Sequence, residues 1–198
     1  MKTPPLKGLV LIGGKSQRMG RDKSGLAYHG KPQALYAYEL LEKCCEQTFL
    51  SCREEQTLEA ELQNLPQIHD AYNGIGPMGG ILSAMEKDQH AAWLILACDL
   101  PFLSQKTLQQ LVNKRDPTQK ATCFLNLEKG WKEPLCAIWE PQSRDNLLQG
   151  LNEQKYCPRR QLKHMNTKDL TPESEKALEN VNTPEEFQVT QNLLKERT

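Results

Sequence analysis

Residues 91–98, AAWLILAC, are apolar without a break. A strand with no polar alternation has both faces covered, which is the condition of a central strand in a parallel sheet with helices on either side. The run ends on Asp99-Leu100-Pro101-Phe102. A carboxylate at the mouth of a buried strand is costly to desolvate, so it holds a metal, pairs with a cation, or caps the turn that follows. In open α/β sheets the ligand crevice lies outside the carboxyl ends of the strands. Asp99 therefore marks the end of the sheet where a site is expected.

A second buried strand, residues 9–12 (LVLI), breaks into Gly13-Gly14 and a loop carrying Ser16, Arg18, Arg21 and Lys23. Paired glycines let backbone N–H groups approach a ligand, and with three cations and a hydroxyl beside them they suit a polyphosphate. The spacing G-x-x-x-x-G-K from Gly25 to Lys31 is not a Walker A loop. Pro32 stands where a metal-binding hydroxyl is required, and no buried strand feeds it. Pro32 instead starts a helix whose buried stripe is Leu35, Tyr38 and Leu41.

Further along, residues 48–52 (TFLSC) read as a strand, 54–63 as a polar helix, and 66–70 as a weak strand ending at Asp70. Residues 71–80 contain four glycines and read as a second ligand-approaching loop, with a helix opening at Ile81. Ser104 reads as the N-cap of a helix burying Leu108, Leu111 and Val112. Strands over 120–127 and 133–139 flank a turn at 128–130. A helix over 141–151, a basic cluster over 158–164 and a last helix begun by Pro184 and capped by Thr183 complete the chain. This alternation implies a three-layer α/β architecture with a mostly parallel central sheet.

With 198 residues the chain suits one domain with its own core. Lys+Arg and Asp+Glu balance at 25 each, which argues against a protein that coats nucleic acid. No apolar run approaches a membrane span, and the first residues lack the apolar core of a signal peptide. A cytoplasmic protein with neither nucleic-acid nor membrane partners is expected. The seven cysteines show no C-x-x-C pair, and several, such as Cys98 and Cys136, lie inside apolar runs where a thiol behaves as a small hydrophobe, so a structural role is expected. The four histidines share no metal-ligand spacing.

Taken together, the motifs resemble those of the molybdenum cofactor guanylyltransferases. Leu11-Ile12-Gly13-Gly14-x-Ser16-x-Arg18-Met19-Gly20-x-Asp22-Lys23 is similar to that family's L-A-G-G-x-S-x-R-M-G-x-D-K. Three further matches follow in order: Asp70 with Gly76-Pro77-Met78-Gly79-Gly80, then Cys98-Asp99-Leu100-Pro101-Phe102, then Asn180-Val181-Asn182-Thr183-Pro184. The first motif alone points to the broader nucleotidyltransferases, and the last narrows the resemblance to enzymes acting on molybdopterin.

The resemblance implies a Rossmann-like nucleotidyltransferase domain over residues 1–198, with nucleotide binding mainly in 1–100 and acceptor binding mainly in 101–198. It implies transfer of GMP from GTP to the terminal phosphate of molybdopterin. On the nucleotide side it places Leu11, Ile12, Gly13, Gly14, Ser16, Lys23, Asp70, Gly79 and Asp99. Ser51 or Cys52 stands where the family often has asparagine, and Ser51 is taken as the candidate. Asp99 would hold Mg²⁺, and Arg18 and Lys23 would offset phosphate charge. Asn180 and Asn182 match acceptor positions. The basic residues Arg159 and Arg160 are assigned to the acceptor because a phosphate dianion needs cations. Transient contacts with cofactor-biosynthesis or acceptor proteins are compatible with this. Alternative readings are a molybdopterin cytidylyltransferase, a sugar-1-phosphate nucleotidyltransferase, or a non-catalytic nucleotide-binding accessory protein.

Overall fold

The computed structural model describes residues 2–12, 28–127, 129–181 and 184–195. Seven strands form one sheet in the order β3-β2-β1-β4-β6-β5-β7. They are β1 (Leu6–Leu11), β2 (Gln47–Cys52), β3 (Gln67–His69), β4 (Ala92–Ala97), β5 (Ala121–Asn126), β6 (Trp131–Trp139) and β7 (Thr167–Leu170). Every neighbouring pair is parallel except the two that β6 makes, with β4 and with β5. The helices are α1 (Gln33–Glu42), α2 (Ala60–Gln63), α3 (Pro77–Lys87), α4 (Gln105–Asn113), α5 (Arg144–Asn152), α6 (Pro158–Lys163) and α7 (Pro184–Lys195).

Two cores flank the sheet, and β4 shows why its sequence has no polar alternation. Ala92, Leu94 and Leu96 enter one core with Leu40 and Leu41 of α1 and Leu108 and Leu111 of α4. Trp93 and Ile95 enter the other, with Met78, Ile81, Leu82 and Met85 of α3 and Leu147 of α5. Each side chain of β4 is buried, from Ala92 to Leu96 completely, so a polar residue on either face would lose its water without a partner. The Rossmann-like three-layer architecture expected from the sequence is the one found.

The order of connections locates the crevice. From β1 the chain passes through α1 to β2, on one side; from β3 it passes through α3 to β4, which lies on the other side of β1. β1 and β4 therefore sit at a switch point, where diverging connections leave a cleft at the carboxyl ends of the strands.

Four sequence expectations are corrected. Pro32 is the cap residue, with extended backbone, and Gln33 is the first helical residue of α1. The polar helix expected over 54–63 shrinks to α2. Only Leu58 and Leu62 are buried there, so no apolar stripe holds a longer helix to the core. The Gln56 side chain instead bonds backbone, accepting from Arg53 N and donating to the Ile12 carbonyl. The helix placed at Ile81 begins four residues earlier, at Pro77, and so contains Gly79 and Gly80. Finally, β7 was not expected, because a sheet-edge strand with exposed Lys168 and Asp169 carries little apolar pattern.

Candidate active site

Gly13, Gly14, Ser16, Arg18, Lys23 and Asn182, with Thr183, expected as a cap, lie outside the described residues. The remaining candidates fall at the carboxyl edge of the parallel strands or in the segments packed on it.

Leu11 ends β1, and Ile12, just beyond it, has both backbone groups engaged. Its N–H donates to the Ser51 carbonyl at 3.3 Å, and its carbonyl accepts from the Gln56 side-chain amide at 3.2 Å. Ile12 is thus fixed beside β2.

One strand over, Ser51 and Asp70 form a unit with α3. The Ser51 hydroxyl donates to Asp70 Oδ1 at 2.6 Å, and Asp70 N donates to the Cys52 carbonyl at 2.9 Å. Ser51 is the residue of the pair that points to this side. Cys52 belongs to the opposite core, its Sγ 3.6 Å from His69 Nδ1. A Cβ on Gly80 would lie 2.4 Å from Ser51 Oγ and 2.7 Å from Leu11 Cδ2. One on Gly79 would lie 2.5 Å from the Tyr72 carbonyl oxygen. The two glycines therefore serve close approach of the first turn of α3 to β1, β2 and residue 72. Ser83 locks the same turn, accepting from Ala71 N at 2.9 Å and donating to the Gly79 carbonyl at 2.8 Å. Burial pushes the Asp70 carboxyl above the usual carboxylate range, against the Ser51 hydroxyl and the nearby Arg53 and His69, which pull it down.

Asp99 stands just past β4, half-buried, in a turn gripped from two sides. From the tail, Asn180 Nδ2 donates to Asp99 Oδ1 at 2.8 Å, and Val181 N donates to the Asp99 carbonyl at 3.1 Å. From α1 and the segment before it, three side chains hold the carbonyls that follow Asp99. Gln33 Nε2 donates to Leu100 O at 3.3 Å, His29 Nε2 to Pro101 O at 2.9 Å, and Tyr36 OH to Leu103 O at 2.9 Å. The His29 and Tyr36 rings stack 3.8 Å apart. The buried Tyr28 ring packs on Phe187 of α7 at 4.8 Å. Its phenol is pushed up by burial first and by the negative Asp99 second.

Sequence reasoning found Asp99 and Asn180 separately and missed both their bond and the clamp of His29, Gln33 and Tyr36. Gln33 carried one usable signal, an amide at a position that helical spacing places inward.

Asp99 fits Mg²⁺. That ion commonly uses one or two carboxylates, with substrate phosphates and water completing its shell. Among the described residues no group of three or more His, Cys, Asp or Glu gathers into a protein cage.

The two arginines of α6 diverge. Arg159 lines a cavity of about 70 Å³ with Asn180, Glu133 and Leu100. Arg160 lines a separate depression of about 530 Å³ with Asn146, Gln149 and His164. Arg159 is thus brought to the Asp99–Asn180 pair, and Arg160 is not.

The profile of the MobA-like NTP transferase domain matches residues 8–168, a span that runs from β1 through all the strand ends described above. The chain belongs to the MobA-like NTP transferase family. A molybdenum cofactor biosynthesis bifunctional protein of Synechocystis is 38% identical over 183 residues, covering 92% of this chain and 53% of that protein. The chain therefore spans about half the length of that relative. A molybdenum cofactor guanylyltransferase of Pseudomonas fluorescens is 25% identical over 185 residues, covering 92% of each. Among solved structures, a molybdopterin-guanine dinucleotide biosynthesis protein A from Archaeoglobus fulgidus superposes with a TM-score of 0.80 at 22% identity, covering 96% of this chain and 99% of that one. At that identity the likeness speaks to the fold. No helix among the described residues is long and apolar enough to cross a membrane.

Proposed function

We propose that this nucleotidyltransferase moves GMP from GTP to the terminal phosphate of molybdopterin and releases pyrophosphate. The observation that carries the reading is the Asp99–Asn180 bond, which ties the carboxyl edge of β4 to the asparagine motif of the tail. On the nucleotide side Leu11 and Ile12 stand at the end of β1, and Ser51 and Asp70, close-packed on Gly80, form the neighbouring wall; Gly13 is assigned to the nucleotide by sequence. Arg18, Lys23, Gly14 and Ser16 are assigned by sequence to the triphosphate, and Asn182 to the acceptor. Asp99 would hold Mg²⁺, which when bound offsets triphosphate charge.

The protein's own task is positioning and charge neutralisation, which is most of what phosphoryl chemistry asks of an enzyme. The acceptor is a phosphate monoester already ionised at neutral pH, so no side chain has to remove a proton from it. Its oxygen forms the new bond to the α-phosphorus. The bond from that phosphorus to the bridging oxygen breaks, and pyrophosphate leaves with the electron pair. Arg18 and Lys23 stabilise the charge that develops. No covalent enzyme intermediate is required.

Pyrophosphate release with molybdopterin as acceptor, compared between GTP and CTP, tests the reading. Release with GTP, lost in Asp99→Asn, supports it. Preference for CTP identifies a cytidylyltransferase instead, and release with neither nucleotide points to an accessory protein.

A further inference from the structure

β6 runs antiparallel to β4, with Cys136 opposite Leu96, so its first residues extend beyond the carboxyl end of β4. Trp131 stands at that extension, at the exit of the β5–β6 turn. The guanidinium carbon of Arg159 lies 3.8 Å from the centre of its ring, and Lys129 Nζ lies 5.4 Å from the same ring. The indole N–H donates to Glu133 Oε1 at 2.7 Å. Arg159 and Glu133 share a cavity wall with Asn180, which in turn holds Asp99.

Stacking covers one face of a guanidinium and leaves its in-plane N–H donors at the edge, where an oxyanion binds. An exposed arginine without such a platform loses its rotamer freedom when it takes a ligand. Here the platform is already in place, and the Glu133 bond fixes the orientation of the indole. One oxygen of Glu133, the only carboxylate on that cavity's wall among the described residues, is occupied by this bond.

We infer that Trp131 is a positioning residue for the acceptor: it holds Arg159, with Lys129 beside it, to receive the phosphate of the incoming substrate. This rests on the proposed transfer to a phosphate-bearing acceptor. It adds to that reading a residue outside every glycine-rich, aspartate or asparagine motif.

The tryptophans make the inference directly measurable. Of the three in the chain, Trp93 and Trp139 are fully buried, and Trp131 alone keeps exposed surface. The fraction of tryptophan emission quenched by acrylamide should therefore come from Trp131. Anaerobic addition of molybdopterin to the full chain is expected to protect that fraction, and GTP alone is not. Trp131→Phe should lack the fraction altogether.

In steady state, Trp131→Ala is expected to raise the KM for molybdopterin about tenfold while the KM for GTP stays within about twofold. Trp131→Phe, which keeps a ring under Arg159, should recover most of that loss. Arg159→Met should match Trp131→Ala, and the double variant should be no worse than Arg159→Met alone. An unchanged acceptor KM in Trp131→Ala, or equal rises in both KM values, overturns the inference while leaving the transfer reaction standing. Wild-type protein that forms no product with molybdopterin overturns the transfer reading and this inference with it.

Discussion

Replacing Gly80 with alanine opposes two effects of known sign. In a helix, alanine is normally favoured over glycine by about 0.5–1 kcal/mol, because glycine has more backbone freedom to lose. At Gly80 the added methyl would meet Ser51 Oγ at 2.4 Å, Leu11 Cδ2 at 2.7 Å and Asp70 Oδ1 at 3.4 Å. Leu11 Cδ2 is the tip of a flexible side chain and can move. Ser51 Oγ cannot move without giving up its bond to Asp70. Overpacking of this kind costs about 1–3 kcal/mol, so the clash wins, with a net destabilisation of about 1–2 kcal/mol. For a chain of this size that lowers Tm by about 2–8 °C. Thermal or urea unfolding of Gly80→Ala, alone and combined with Ser51→Ala, measures it. Without the hydroxyl the worst contact is gone, so the penalty of Gly80→Ala should fall by at least about 0.5 kcal/mol in that background. A Gly80→Ala protein more stable than wild type, or an equal penalty in both backgrounds, refutes the close-packing account of the glycine pair.

Three further outcomes follow from the same geometry. Burial raises the Asp70 carboxyl above its ordinary 3.8, so the folded chain binds this proton more tightly than the unfolded chain. Its contribution is favourable below that value and is lost as pH rises through the folded value; Asp70→Asn should remove that part of the slope in Tm measured from pH 4 upward. Gln33→Leu takes the donor from the Leu100 carbonyl but also removes a buried side-chain oxygen that has no hydrogen-bond partner among the described residues. These offset at about 1–3 kcal/mol each, so Tm should move by only a few degrees. Half-saturation by Mn²⁺, read by its EPR signal in the presence of GTP, should weaken several-fold as the Asp99 turn loosens. Far from the crevice, Arg115 pairs with the fully buried Glu140 through two bonds of 2.6 and 2.9 Å. Arg115→Met leaves that carboxylate alone and should cost about 3–5 kcal/mol in unfolding measurements, with the KM for GTP unchanged in protein that remains folded.

What could be read from residues alone was set by how local each signal is. Residues 91–98 declare a two-sided strand because every position is apolar, and Asp99 then stands out by contrast. The double glycine at 79–80 was visible as a motif but not for its reason. A glycine for a turn and a glycine for close approach look alike until Ser51 and Leu11 are placed beside it. The bond between Asp99 and Asn180 joins residues 81 positions apart, and no spacing rule reaches that far. β7 stayed hidden because an edge strand needs few apolar residues. Trp131 next to a turn suggests nothing until α6 brings Arg159 onto its ring.

The central claim is that this crevice joins a guanylyl group to a phosphate-bearing pterin. Anaerobic incubation of the protein with GTP, Mg²⁺ and molybdopterin, followed by the masses of both small molecule and protein, addresses it in one step. The account predicts molybdopterin heavier by one GMP unit, one pyrophosphate per product and protein of unchanged mass. Molybdopterin recovered unaltered, or a guanylylated protein, would contradict it.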